Sequence, residues 1–254
     1  MTDFKDRMAS GQMIAGTFVK TPAIEMVEVL SMSGLDVLCL DAEHAPFDRA
    51  RLDACLAVAR GRGIPCLVRV PDAQPSTLLQ VLDSGANGVV VPHVDSAKKA
   101  AAVSRACRFG HGGRGFAGST RSANYATQPM SDVLEAGDAV TVIAQIEDPE
   151  GVTEATAIAG TEGIDGIFLG PADLSVAYGK TDTNSDTLLT AIASVGSAAR
   201  AAGKAYWTYA PTVEKAAELQ RFGFTGYLIA SEQAWMLQGA RATADGLHAL
   251  TIDG

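Results

Sequence analysis

Short apolar runs recur along the chain, separated by more polar stretches of helical spacing. Eight such runs stand out, at roughly 13–18, 36–40, 65–70, 88–91, 141–147, 166–169, 205–209 and 226–230. They are continuous and rich in Val, Ile and Leu rather than alternating. That is the pattern of parallel strands covered on both faces. Between them, residues 23–30, 51–60 and 213–222 place apolar side chains at helical intervals, and Gly223 ends the last of these. Glycine-containing turns precede the strands at Ser33-Gly34-Leu35-Asp36, Ser84-Gly85-Ala86-Asn87, Gly163-Ile164-Asp165 and Phe222-Gly223-Phe224. The recurrence predicts stacked βα units. With 254 residues, close to the roughly 250 of one barrel, the reading is an α/β fold, a (β/α)8 TIM barrel. No linker or low-complexity stretch interrupts it, so 1–254 reads as a single domain.

One segment breaks the rhythm. Residues 109–126, FGHGGRGFAGSTRSANYA, have no period and hold five glycines. A long irregular loop in a compact domain is commonly functional or disordered. A phosphate cradle is disfavoured, because no Gly-Lys-Ser/Thr follows.

Several of the apolar runs finish in ionisable residues. Burying an unpaired charge is costly, yet 140–147 closes on Glu147 and 166–173 on Asp173. The second run leads into Asp41-Ala42-Glu43-His44, and the third delivers Arg69. A barrel assembles its active site in this way, at the carboxyl ends of its strands. Glu147 and Asp173 end neighbouring strands, the placement for two carboxylates to share one octahedral cation. Each acid alone also reads as a surface residue, and Asp173 as a helix cap. His44 stands three residues after Asp41, whose carboxylate would orient its ring. His93, in Val91-Pro92-His93, is a weaker second candidate, and His111 and His248 read as bland. A guanidinium at Arg69 must be paired or must meet an anion, and the anion is favoured. Gly170-Pro171-Ala172-Asp173 opens a helix whose free amides suit a carboxylate, or is a plain helix start.

A Schiff-base lysine is the rival chemistry. Lys20 follows the first strand, Lys204 precedes the seventh at its wrong end, and no lysine ends the sixth. The loops Ala210-Pro211-Thr212 and Ala230-Ser231-Glu232 lack a glycine-rich phosphate grip, so a substrate without phosphate is expected. Composition narrows the field further. Apolar residues make up 47% and the net charge is −9, from 29 acids against 20 bases with no Lys/Arg cluster. An acidic field repels nucleic-acid backbones, so nucleic-acid binding is not expected. The runs are too short to span a bilayer, so no membrane partner is expected. Cys39, Cys55, Cys66 and Cys107 form no C-x-x-C pair and read as reduced core thiols of a cytoplasmic protein. The N-terminal residues 1–6 are polar and unlike a signal peptide.

The strings Asp41-Ala42-Glu43-His44-Ala45-Pro46, Val68-Arg69-Val70-Pro71, Val91-Pro92-His93, Ala144-Gln145-Ile146-Glu147 and Gly170-Pro171-Ala172-Asp173-Leu174-Ser175 occur in order over 16–230. Together they resemble the 4-hydroxy-2-oxoheptanedioate / 2-dehydro-3-deoxyglucarate aldolase family, class II pyruvate aldolases. The resemblance implies an aldolase joining pyruvate to an aldehyde, and a divalent metal cation (Mg²⁺, Mn²⁺ or Co²⁺) held by Glu147 and Asp173. It implies His44 as the acid/base residue, paired with Asp41 and acting through water, and Arg69 on the pyruvate oxygen. It places Gln145 in the metal pocket and Gly170, Pro171 and Ala172 along the substrate carboxylate. Asp83 looks like the family's acid near a subunit interface. It further implies a homohexamer in which the last helix, over 231–250, swaps onto a neighbour. Two segments depart from the family's usual strings: Ala205-Tyr206-Trp207-Thr208-Tyr209-Ala210-Pro211, which is bulkier, and 109–126. Both are expected at the mouth, where the acceptor aldehyde is chosen. A CoA-ester lyase shares the barrel and metal logic, but no basic rim suits CoA's phosphates. A non-catalytic binding barrel would need both acids to be incidental.

Overall fold

In the computed structural model, which describes residues 4–250, eight parallel strands close into a barrel in chain order. They are β1 (Ile14–Val19), β2 (Val37–Asp41), β3 (Cys66–Arg69), β4 (Gly88–Val91), β5 (Thr141–Ile146), β6 (Gly166–Leu169), β7 (Ala205–Ala210) and β8 (Gly226–Ser231). Each expected apolar run becomes a strand, shifted by no more than a residue or so at either end. The helices are α1 (Phe4–Ala9), α2 (Ile24–Leu30), α3 (Arg49–Arg62), α4 (Pro75–Asp83), α5 (Ala97–Cys107), α6 (Met130–Asp138), α7 (Pro149–Thr153), α8 (Ala155–Ala159), α9 (Pro171–Ala177), α10 (Asp186–Ala201), α11 (Val213–Leu219) and α12 (Glu232–His248). No helix among the described residues is long and apolar enough to cross a membrane.

Burial on both faces explains the continuous apolar runs. Alternate residues of each strand point inward, where Ile14, Phe18, Val37, Cys39, Leu67, Val90, Ile143, Phe168, Ala205, Trp207 and Leu228 fill the barrel. The residues between them point outward into a larger core under the helices. Trp207 fits inside because residue 226 is glycine. A Cβ at Gly226 would lie 2.4 Å from the indole. Trp207 is therefore interior filling with no exposure, and within β7 itself only Tyr209 is partly open to the mouth.

The amino-terminal end of the barrel is plugged. Phe4 and Met8 on α1 are buried, and Phe4 meets Trp207 edge-on at 6.1 Å. Residues 1–3 of the polar N-terminal stretch lie outside the described residues.

The segment 109–126 is irregular, as its glycines suggest, but it lies at the other end of the barrel from the one expected. A helix that follows β4 runs back antiparallel to it, so α5 delivers the chain to the amino-terminal face, where β5 must begin. There the segment folds on itself. Arg114 lies 4.2 Å over the Phe109 ring and pairs with Asp83 at 3.0 Å. Asp83, the last residue of α4, is at that same end. Neither belongs to this chain's own mouth.

Candidate active site

Strand register creates the centre of the site. Asp41 and Arg69 are the last residues of β2 and β3 and are direct partners across the ladder. Both point inward. The Arg69 Nε donates to Asp41 Oδ1 at 2.9 Å and Nη2 to Oδ2 at 2.8 Å. Lys20, just past β1, approaches Asp41 Oδ2 at 3.2 Å. Asp41 has no exposure. Burial works to raise its pKa, but Arg69's hydrogen bonds and charge outweigh it, aided by the His44 amide and Lys20, and the net result is a lowered pKa. The guanidinium also lies 4.3 Å over the Phe18 ring. Arg69 thus meets a carboxylate of its own chain, the pairing that the sequence left open beside the favoured substrate anion.

Asp41 is accordingly committed elsewhere than expected. It accepts from the backbone N–H of His44 at 3.1 Å, while the His44 ring reaches Glu43, with Nε2 3.7 Å from Oε2. The ring is half exposed at the mouth. The pairing of the His44 ring with Asp41 is therefore corrected to a turn closed by the amide, because the bidentate arginine occupies the Asp41 oxygens.

β5 supplies the next group. Gln145 is inward and fully buried, and Glu147 follows on the same face. The Gln145 side-chain amide donates to Glu147 Oε2, and the His93 backbone N–H donates to Oε1 at 2.9 Å. Space for this carboxylate depends on Gly170, where a Cβ would sit 2.9 Å from Oε2. That is a physical reason for glycine before Pro171. Gly170 is the N-cap of α9 and Pro171 its first residue, and no side chain caps the helix. Asp173 thus does not act as the cap. The amides of Ala172 and Asp173 belong to the first turn, which has no intrahelical acceptors.

The structure brings Glu147 together with Glu43 and His93, and the ligand atoms of these three lie within 4.8 Å of one another. Asp173 is exposed in the first turn of α9 and belongs to no such group of three among the described residues. Two buried acceptors in this region, Glu43 Oε2 and Gln145 Oε1, have no hydrogen-bond partner. Glu43 Oε2 is 3.3 Å from Arg69 Nε, but the single hydrogen on Nε is directed at Asp41. Unpartnered buried oxygens beside clustered carboxylates are what a divalent cation would satisfy, so the residues fit a metal. The carboxylate and amide oxygens gathered here suit hard ions. Burial opposes charge on His93, yet the bond to Asp148 and the carboxylates of Glu147, Asp148 and Glu43 outweigh it and raise its pKa.

Glu43 was absent from the expected site although it stands between Asp41 and His44. Its signal was only its position in a string already rich in charge. Another buried carboxylate, Glu232, accepts from the amides of Lys20 at 3.0 Å and Thr21 at 2.6 Å. It ties the loop after β1 to α12. A cavity of about 400 Å³ opens at the opposite end of the barrel, lined by Arg60, Asn87, Arg114 and Thr141 among others. None of the expected site residues lines it, so the clustering of charge, not volume, marks the mouth.

Residues 15–237 match the family model described as HpcH/HpaI aldolase/citrate lyase. A hydroxypyruvate/pyruvate aldolase from Roseovarius nubinhibens is 34% identical over 206 residues, 79% of this chain and 80% of that protein. A 4-hydroxy-2-oxovalerate aldolase from Rhodococcus jostii is 35% identical over 222 residues, 85% of this chain and 84% of that one. Among solved structures, an HpcH/HpaI aldolase/citrate lyase family protein from Burkholderia cenocepacia superimposes with a TM-score of 0.92 at 29% identity, covering 96% of this chain and 98% of its own.

Proposed function

Because this chain belongs to the HpcH/HpaI aldolase/citrate lyase family, we propose that it cleaves and forms 4-hydroxy-2-oxoacids, with pyruvate as enolate donor and an aldehyde as acceptor. It is an enzyme of the lyase class, a metal-dependent aldolase. What supports the pyruvate chemistry is one observation: a buried Asp41–Arg69 pair beside Glu43, His93 and Glu147 at the carboxyl end of the barrel. Glu147 and Asp173 hold the metal, and Glu43 faces Glu147 from the loop after β2. The chemistry a divalent cation such as Mg²⁺, Mn²⁺ or Co²⁺ supplies there is Lewis-acid polarisation of the pyruvate keto oxygen. Arg69, held rigid by Asp41 and Phe18, presents its charge to the oxygen on which the enolate's negative charge develops. Gln145 fixes the plane of Glu147. The amides of Ala172 and Asp173 bind the pyruvate carboxylate. His44, half exposed and unencumbered by Asp41, moves the proton of the aldehyde oxygen through water.

The reading is tested by mixing purified protein, a divalent ion and a 4-hydroxy-2-oxoacid, and following pyruvate release. Exchange of the pyruvate methyl protons reports the enolate independently of any aldehyde. The route through a lysine adduct has little to recommend it. Lys20 is the lysine nearest the buried pair, and it is engaged with Asp41 at 3.2 Å. Borohydride added with pyruvate should therefore leave the protein mass unchanged, and a reduced adduct on any lysine would overturn the mechanism.

We place the protein in the cytoplasm, on the strength of four buried free cysteines, and as a homo-oligomer, a hexamer by its family resemblance. Support for assembly comes from α12. Only Glu232 is fully buried along it, while Met236, Leu237 and Leu247 are 59%, 51% and 62% exposed. A helix with that much uncovered apolar surface gains its stability from packing on something. A truncation after Trp235 keeps the Glu232 tether and removes this surface. It should shift the protein to a smaller species in analytical ultracentrifugation. A full-length chain that sediments as a monomer at micromolar concentration would end the assembly reading, and with it any role for Asp83 across an interface.

A further inference from the structure

His93 lies in the charged cluster at the mouth but is given no role in the chemistry above, and its backbone takes an uncommon conformation. It adopts φ 54°, the left-handed region, although it is not glycine. That conformation is disfavoured for a residue with a Cβ and persists where the surroundings impose it. The reason is visible in where the turn sends its amides. The N–H of residue 93 meets Glu147 Oε1 at 2.9 Å, and the next amide, Val94, meets the Gln145 carbonyl at 3.0 Å. Both point at β5. Two side-chain contacts hold the turn in place. The His93 Nδ1 lies 2.9 Å from Asp148 Oδ2, and Lys99 Nζ donates to the His93 carbonyl at 2.5 Å. His93 therefore straddles consecutive residues, with its amide on Glu147 and its ring Nδ1 on Asp148, the same nitrogen lying farther, at 3.5 Å, from Glu147 Oε1.

We propose that His93 is a positioning residue: its ring, anchored on Asp148, locks a left-handed turn that aims its backbone N–H at the metal-binding carboxylate of Glu147. This rests on the reading of Glu147 as a metal ligand. The turn and the Gln145 amide then fix the carboxylate from two sides before any ion arrives. Partners of this kind typically account for 10–100-fold in metal affinity.

The test is Mn²⁺ binding by electron paramagnetic resonance, alongside pyruvate methyl exchange at saturating metal. His93→Ala should bind Mn²⁺ roughly 10–100-fold more weakly, while exchange at saturating Mn²⁺ stays near that of the unsubstituted protein. His93→Asn should recover most of the affinity, because Asn tolerates the left-handed region and its side chain can still bond Asp148. If His93→Ala fails to fold, Asp148→Ala carries the same expectation. Asp148 is the N-cap residue of α7, but its side chain caps nothing, so its loss cuts only the anchor. Unchanged Mn²⁺ affinity in the folded Ala variants overturns the proposal. So does a directly coordinated imidazole nitrogen in the Mn²⁺ spin-echo modulation, which would make His93 a ligand. Failure of the unsubstituted protein to bind Mn²⁺ would instead remove the metal reading on which this proposal stands.

Discussion

Exhaustive chelation should abolish pyruvate release from a 4-hydroxy-2-oxoacid, and added Mg²⁺, Mn²⁺ or Co²⁺ should restore it. The expected loss is on the order of 10³-fold or more. Lewis-acid stabilisation is worth several kcal/mol, and each 1.4 kcal/mol is about tenfold in rate. The same result should follow from Glu147→Gln, which keeps the shape of the side chain but not its charge. That variant should also lose Mn²⁺ binding, which separates a metal role from a purely structural one. Comparing Asp173→Asn with Glu43→Gln then assigns the second carboxylate. Glu43 is clustered with Glu147, whereas Asp173 stands exposed on the neighbouring helix turn. Loss of Mn²⁺ binding in Asp173→Asn supports the Glu147–Asp173 pair, and loss in Glu43→Gln alone replaces it. Full activity in protein shown by elemental analysis to be free of metal would refute the whole scheme.

The barrel was legible in the sequence because its strands are buried on both faces, and such strands announce themselves as unbroken apolar runs. The ends of those runs were legible for the same reason: a charge at Arg69 or Glu147 contradicts its surroundings and so stands out. What could not be read was pairing. Whether Asp41 serves His44 or Arg69 depends on the β2–β3 register, which places residues 41 and 69 side by side. Nothing within either string encodes that. Glu43 was hidden by the opposite effect, since a carboxylate among other polar residues contradicts nothing. The plug made by α1 was hidden because it needs only Phe4 and Met8, two apolar residues too few to form a pattern. The segment 109–126 was misplaced for want of direction. Its irregularity was evident from its glycines, but the end of the barrel it serves follows from counting which way α5 runs.

Arg69→Ala should collapse both retro-aldol cleavage and pyruvate methyl exchange, by about 10²–10³-fold, the cost typical of removing one preorganised donor to a developing oxyanion. It should also destabilise the fold. Asp41 has no exposure, so loss of its bidentate partner strands a buried charge with only Lys20 nearby. Breaking such a pair costs about 3–5 kcal/mol. The pH dependence identifies the cause. In the intact protein the Asp41 pKa is lowered, so the pair contributes stability above the ordinary carboxylate range, and that contribution is lost as pH falls through the lowered value. Without Arg69 the burial of Asp41 is no longer outweighed, and denaturant melts of the variant should lose this acid slope. Stability and chemistry can then be pulled apart. Asp41→Asn combined with Arg69→Met removes both charges of the fully buried pair, so no ion is stranded at position 41, and it should recover much of the stability lost by Arg69→Ala, short of the part Arg69 contributes by facing Glu43 at 3.3 Å. It should recover none of the methyl exchange. A folded double variant that still exchanges the pyruvate methyl protons at the normal rate would show that Arg69 only holds Asp41 in place, and that the enolate is stabilised without it.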